Sequence, residues 1–236
     1  PNYVKLDNIL SILEQISVLG LVASGATILI VSGNFDISVG ASLGLSACVM
    51  AMLMRSGAPA ASAVSVGLGV AVLCGLFVGG MSILLRAPSF IVSLACIGIF
   101  QGTALALTKG TIQTIYGKFE TLGATRYYDV IPLLFLISLG GFLVVHLMLT
   151  YTRLGRRVYA IGSNSYAAYL SGIGVRSNTL LFFALNGLFV GIAAVLLLSR
   201  VGSAAPSTGA GIELKAIGAV VIGGAPMSGG KGRIIG

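Results

Sequence analysis

The sequence predicts an all-α protein, a polytopic membrane helix bundle with interrupted helices and a candidate internal repeat. Three observations predict it. Of 236 residues, 56% are hydrophobic and only 8% charged, whereas a soluble domain carries about 25% charged residues. The mean hydropathy is +1.04, too apolar for the surface of a water-soluble globule. The apolar residues also gather into runs near the ~20 that a helix needs to cross a bilayer.

Along the chain, the candidate spans are residues 10–31, 37–54, 60–85, 89–107, 130–149 and 178–198, followed by a shorter apolar run at 212–222. This makes six full spans and a partial seventh. Helix is forced on them, because open strands or loops facing lipid leave backbone groups unpaired. The breaks carry the expected punctuation: Arg55-Ser-Gly-Ala-Pro59, Arg86-Ala-Pro88 and the polar stretch 108–129. The polar opening residues 1–8, ahead of a long apolar run, do not read as a signal peptide.

Glycine numbers 34 residues, and in lipid small residues let helix backbones approach closely. Pairs at i, i+4 are Gly40/Gly44, Gly75/Gly79, Gly98/Gly102 and Gly187/Gly191, each a predicted groove for a neighbouring helix. Tyr116, Tyr127, Tyr128, Tyr151 and Tyr159 fall near span ends, where amphipathic rings favour the membrane interface.

The net charge is +8, from 14 Lys and Arg against 6 Asp and Glu. Nucleic-acid binding needs a basic face on a soluble fold. Here the cations sit in short breaks, where they suit anionic headgroups, so membrane lipid is the expected partner and nucleic acid is not. Charge counting alone divides the cations evenly between the two sides; only the acid-free cluster Arg153, Arg156, Arg157 and Arg176 favours the cytoplasm for the 151–177 region. Cys48, Cys74 and Cys96 lie inside apolar runs with no metal-like or paired spacing and read as small core residues. His146 is the sole histidine and has no nearby acid or cysteine partner. General acid–base work needs such a partner, so neither a catalytic nor a metal constellation is expected.

The pattern fails in three places. The first is Ser32-Gly-Asn-Phe-Asp-Ile-Ser-Val-Gly40, which sets an acid between two apolar runs. An acid at this depth is costly enough to need a reason. Gly33 and Gly40 permit unwound backbone, and Asp36 or Ser38 can cap the following helix. Unwound backbone in a membrane is tolerated only in protein interior or beside a water-filled route. Asn34, Asp36 and Ser38 are therefore either a substrate-route lining or the fastening of a sharp turn.

The second is Gly223-Gly-Ala-Pro-Met-Ser-Gly-Gly-Lys-Gly-Arg233. It approaches Walker spacing, but Gly232 stands where the magnesium-binding hydroxyl belongs, so ATP binding on this chain is rejected. Residues 32–40 and 222–230 align without gaps, sharing Gly at 33/223, Ser at 38/228 and Gly at 40/230. Matched interrupted segments in two halves point to a transporter's central pathway, which adds Gly223 and Gly224 to the candidates. Six crossings separate the two breaks, so the repeat would be parallel.

The third runs from Thr152 to Val175. Ser163 or Asn164 can cap a short helix over 165–171, closed by Gly172. Its large Tyr166 and Tyr169 beside small Ala167 and Ala168 form either a knob for another protein's groove or an amphipathic turn on the membrane surface.

At these residues the chain resembles the permease subunits of ribose-type sugar ABC importers, in the branched-chain amino acid and monosaccharide permease family. Residues 33–40 look like that family's Gly-Gly-Ile-Asp-Leu-Ser-Val-Gly signature, with Asn34 and Phe35 replacing Gly and Ile. Leu154-Gly-Arg-Arg-Val-Tyr-Ala-Ile-Gly162 with Asn164, Ala167, Ala168 and Ser171-Gly-Ile173 looks like its cytoplasmic coupling segment. Ser199-Arg200, Pro206, Gly209, Gly211, Glu213-Leu214, Ile217 and 220–224 match its C-terminal-half motif, as do Gly229, Gly230 and Gly232; Pro226-Met227 departs from it.

The resemblance implies a single permease domain over 1–236 that lacks a first helix and some later ones, in the bacterial inner membrane. It implies an ABC ATP-binding subunit gripping Arg156, Tyr159, Gly162, Asn164, Ala167, Ala168 and Gly172, a periplasmic sugar-binding protein, and a second permease, identical or related. No cofactor is expected on this chain. An ion-coupled carrier or channel is the alternative, with Asp36 and Glu14 as its only relay acids; a membrane-embedded enzyme fits poorly.

Overall fold

A computed structural model describes residues 6–117, 119–127 and 131–234. Lys5, Lys118, Tyr128, Asp129 and the expected span start Val130 lie outside the described residues. The described chain forms helices α1 (Leu6–Val31), α2 (Val39–Arg55), α3 (Ala60–Leu85), α4 (Ser89–Thr108), α5 (Thr121–Ala124), α6 (Leu133–Tyr151), α7 (Arg153–Ser163), α8 (Ser165–Leu170), α9 (Val175–Val201) and α10 (Ile212–Ile222). Four two-residue strands, β1 (Gln113–Thr114), β2 (Arg126–Tyr127), β3 (Ile131–Pro132) and β4 (Ser203–Ala204), complete it. The antiparallel pairs are β1 with β4 and β2 with β3.

Proline and left-handed residues set the helix ends. Pro59, Pro88 and Pro132 occupy the N-cap positions of α3, α4 and α6, with backbone already bent away from helix, as proline allows. Arg86, Lys109 and Gly202 close α3, α4 and α9 in the left-handed region. The sequence boundaries for α3 and α10 hold to the residue. α9 starts three residues earlier than expected, at Val175.

One expectation is corrected. Five helices are long and apolar enough to cross a membrane, and α2, at 17 residues, is shorter. Residues 32–38 are not helical, so the second span begins inside the bundle rather than at its face. At ~1.5 Å rise per residue, α2 reaches about 25 Å.

α1 and α9 form the centre: 78% and 61% of their apolar windows are buried, against 22% to 28% for α3, α4 and α6. The outer helices keep Leu73, Leu84, Ile91, Leu139 and Val144 exposed, as lipid-facing side chains must be. The α3–α9 seam is built from glycine. A Cβ on Gly187 would meet the Ala71 carbonyl oxygen at 2.5 Å, and one on Gly75 would strike that of Phe183. The predicted grooves at Gly75/Gly79 and Gly187/Gly191 thus face each other's helices, and Gly40/Gly44 seats residues 206–209. Gly98 and Gly102 meet nothing within 4 Å, so none of the described helices occupies that groove.

One end of the bundle gathers the end of α1, the starts of α4 and α9, and α7–α8. Gly162 packs on Val31, Phe35 N–H donates to Ser89, and Arg157 reaches Asn178. Arg156, Lys231 and Arg233 line one cavity there. The opposite end holds Arg55 on Gln113 and Glu14 between Arg126 and Arg200. Arg156, Arg157, Lys231 and Arg233 thus lie at one end, and Arg55, Arg126 and Arg200 at the other. Tyr116, Tyr127 and Tyr151 are exposed near helix ends as expected, but Tyr159 turns inward.

Candidate functional site

The first break is a sealed polar knot. Gly33 leaves α1 at φ 78°, a conformation that glycine adopts without cost. The chain then doubles back, extended, along the start of α4. Phe35 N–H donates to Ser89 Oγ at 2.9 Å and Ile37 N–H to Ser93 Oγ at 3.1 Å. Ser89 and Ser93 lie one helical turn apart, so a single face of α4 serves alternate backbone amides. Asp36 Oδ1 accepts from both the Ser38 amide, at 2.8 Å, and the Ser38 hydroxyl, at 2.6 Å. Asn186 Nδ2, from the centre of α9, donates to Asp36 Oδ2 at 3.2 Å.

Ser38 occupies the N-cap of α2 without a side-chain capping bond, and Asp36 bonds to Ser38 rather than to a first-turn amide, so neither expected side-chain cap is made. Asp36 and Ser38 are 7% and 1% exposed, and both serve the turn. Asn34 is also locally engaged, with Nδ2 donating to Ser32 O and Oγ. Of the sequence candidates in this break, Gly40 lines a cavity of about 180 Å³ shared with Gln101, Pro206, Thr208 and Glu213.

The second break behaves otherwise. Gly202 ends α9, and residues 203–211 turn back into the bundle, where Gly209 abuts Gly40. Gly211, at φ 83°, then starts the half-helix α10. Gly223 and Gly224 follow α10 at the opposite end and line an open cavity of about 1090 Å³ with His146, Arg156, Tyr159, Lys231 and Arg233. The repeat alignment does not carry into conformation. Gly33 has φ 78° whereas Gly223 is near −68°, and Gly40 is helical whereas Gly230 has φ 74°. Three shared small residues in glycine-rich sequence made an alignment, not a matching backbone.

The two breaks nevertheless meet, and α7 meets both. Gly230 N–H donates to Val31 O at 2.8 Å. A Cβ on Gly162 would collide with that same Val31 oxygen and stand 2.7 Å from Gly230 N, and a Cβ on Gly229 would stand 2.9 Å from Gly33. Tyr159 O–H donates to Gly232 O at 2.8 Å. Burial holds the Tyr159 phenol above its ordinary range, opposed in part by the Arg233 charge, so it stays a protonated donor.

α7 opens on Thr152, whose hydroxyl accepts from Gly155 N–H at 3.1 Å. Asn164 caps α8, its Oδ1 accepting from Ala167 N–H at 2.9 Å, and Gly172 follows at φ 81°. The helix ends one residue sooner than expected, at Leu170. Tyr166, Tyr169 and Leu170 stand 66% to 70% exposed, while Ala168 is 4% exposed. Ala168 therefore fixes α8 to its own chain, and the outward face belongs to Ala167 and the larger side chains. Arg156 is exposed on α7.

Sequence reasoning missed Ser89, Ser93 and Asn186, and placed Glu213 in a motif without giving it a role. Asn186 is legible as a lone amide in an apolar span, a residue type that needs a partner in lipid. The serines carry no such mark.

A bundle of apolar helices, one broken and one re-entrant, with a capped helix pair packed on the break, is the architecture of a multi-pass membrane protein. Residues 8–236 match the family model described as "Branched-chain amino acid transport system / permease component", and the chain belongs to that family. It is 37% identical to the ribose import permease protein RbsC of Bacillus subtilis over 100% of this chain and 74% of the relative. It is 34% identical to RbsC of Escherichia coli K12, covering 75% of it, and 31% identical to the autoinducer 2 import system permease protein LsrC of Enterobacter sp. strain 638, covering 69% of it. No solved structure matches.

Proposed function

We propose that this chain is a transmembrane subunit of an ATP-driven sugar importer in the bacterial inner membrane, carrying a monosaccharide handed over by a periplasmic binding protein. Two permeases, identical or related, enclose the route. ATP binds to a separate subunit, and this chain carries no cofactor.

The observation that supports the reading best is the α7–α8 pair. Its exposed Tyr166, Tyr169 and Leu170 form an apolar knob, and its base is pinned through Gly162 to the break after α1. A partner that moves the knob thereby moves the break. ATP-driven closure of the partner subunits shifts the bundle between its two access states only through different affinity for each. The kinship with ribose and autoinducer 2 import permeases supports a sugar-like cargo. The two relay acids that the ion-coupled alternative names are both engaged. Glu14 pairs with Arg200 at 3.1 Å and Arg126 at 3.9 Å, and both Asp36 oxygens are occupied.

Ala167→Arg tests the docking. The full permease co-purified with its ATPase is expected to lose the complex, because a charge is forced into an apolar contact, while the permease itself stays monodisperse in detergent. Undiminished complex overturns the docking surface.

A further inference from the structure

Glu213 is an acid at membrane depth that neither the turn nor the docking helices use. Its Oε1 accepts from Gly211 N–H at 3.0 Å, while Oε2 is buried without a hydrogen-bond partner and lies against Gly40. An intramembrane carboxylate is costly and marks a functional position by default. Gly40 lies 15 residues before Arg55 along α2, about 22 Å from that end at the helical rise, so the carboxylate stands deep in the bundle. It faces the cavity of about 180 Å³ that also meets Gln101 and Thr208. Thr208 Oγ1 accepts from Ala205 N–H and keeps its own hydroxyl proton for a ligand. Gln101 is an exposed amide past the middle of α4, next to the unfilled groove of Gly98 and Gly102.

The chemistry selects the ligand class. The carboxylate sits in the first turn of α10, where the helix's positive end stabilises its charge. What it lacks is a donor. Gln101 offers both donor and acceptor, and Thr208 a donor. A ligand that donates to a carboxylate and exchanges hydrogen bonds with an amide and a hydroxyl is an uncharged polyol. We infer that Glu213, Gln101 and Thr208 form a hydroxyl-binding stopping point on the translocation route, at the contact between the re-entrant loop and Gly40. The cavity lies below the ~300 Å³ of ordinary ligand pockets, as suits a way-station that must release what it holds. The inference rests on the importer reading above.

The test uses the full permease with its ATPase and binding protein in proteoliposomes, offered D-ribose, D-xylose and D-galactose. Glu213→Gln is expected to cut ATP-driven uptake at least about tenfold while ATP hydrolysis stays within about twofold, a loss on the route rather than in assembly. If that variant fails to assemble, Thr208→Val gives the same reading with a smaller loss. Independently of any sugar, Gln101→Cys is expected to react with a water-soluble methanethiosulfonate in the nucleotide-free or the ATP-bound state, above the background of the buried Cys48, Cys74 and Cys96. Wild-type uptake rates in the assembled variants, or an unreactive Cys at 101 in both states, overturn the inference and leave the importer reading standing. No ATP-driven uptake by the wild-type complex counts against the importer reading instead, and the labelling still decides the stopping point.

Discussion

The break after α1 and the break after α10 draw on the same small residues, glycine and serine, and end in opposite states. In the first, Phe35, Ile37 and Asp36 find partners from other helices, Ser89 and Ser93 from α4 and Asn186 from α9, and Asn34 and Ser38 are tied within the turn. In the second, the glycines line an open cavity and are held mainly through Val31 and Tyr159. Glycine makes a helix break affordable, but its neighbours decide whether it becomes a fastened turn or a wall. The first break is sealed because it is held between α4 and the central α9, and the second is open because it lines the cavity beside α7.

This contrast can be broken experimentally. The largest effect is expected for Asp36→Leu, which leaves the Ser38 amide, the Ser38 hydroxyl and Asn186 without their acceptor. At about 1–3 kcal/mol for each buried group left unpaired, the loss is about 3 kcal/mol or more, read as loss of monodisperse protein in detergent. A wild-type profile would mean that the knot does not hold the break. Gly162→Val comes next. Overpacking costs about 1–3 kcal/mol, and here it pushes α7 off both breaks together, so Tm should fall and ATP hydrolysis should uncouple from uptake. A drop in Tm with coupling intact would confine the junction to a structural role.

Tyr159→Phe removes a single bond to the second break. At about 0.5–1.5 kcal/mol, it should lower Tm by less than Gly162→Val does. Gly102→Ala, in the unfilled groove, should leave the unfolding free energy of the isolated permease within about 0.5 kcal/mol of wild type. A larger loss would mean that the groove is filled after all.

The legible part of the fold was the part fixed by local composition. Residues 60–85 and 212–222 could be bounded from apolar runs and their Pro and Gly flanks. The Asn164 cap was readable because capping is a relation over three residues. The knot was legible only in half: an acid between two apolar runs announces a partner but not which one. Phe35 and Ser89 are 54 residues apart and Asp36 and Asn186 are 150 apart. Such pairings come from helix packing, which no local pattern encodes. Gly98/Gly102 and Gly187/Gly191 look alike as sequence, yet only the second pair is covered, because i, i+4 spacing marks a groove without naming what fills it. The repeat alignment failed for a related reason, since three shared small residues say nothing about φ.

The two-residue pairing of β1 with β4 has a mechanical consequence. It stitches the loop after α4 to the start of the re-entrant loop, and Arg55, reaching Gln113 at 2.7 Å, knots the far tip of α2 into the same seam. Three segments distant in sequence thus share one hem. No single helix can swing outward at that face on its own: displacing any of the three tugs the other two, or rips a few exposed stitches that are far weaker than the helices they join.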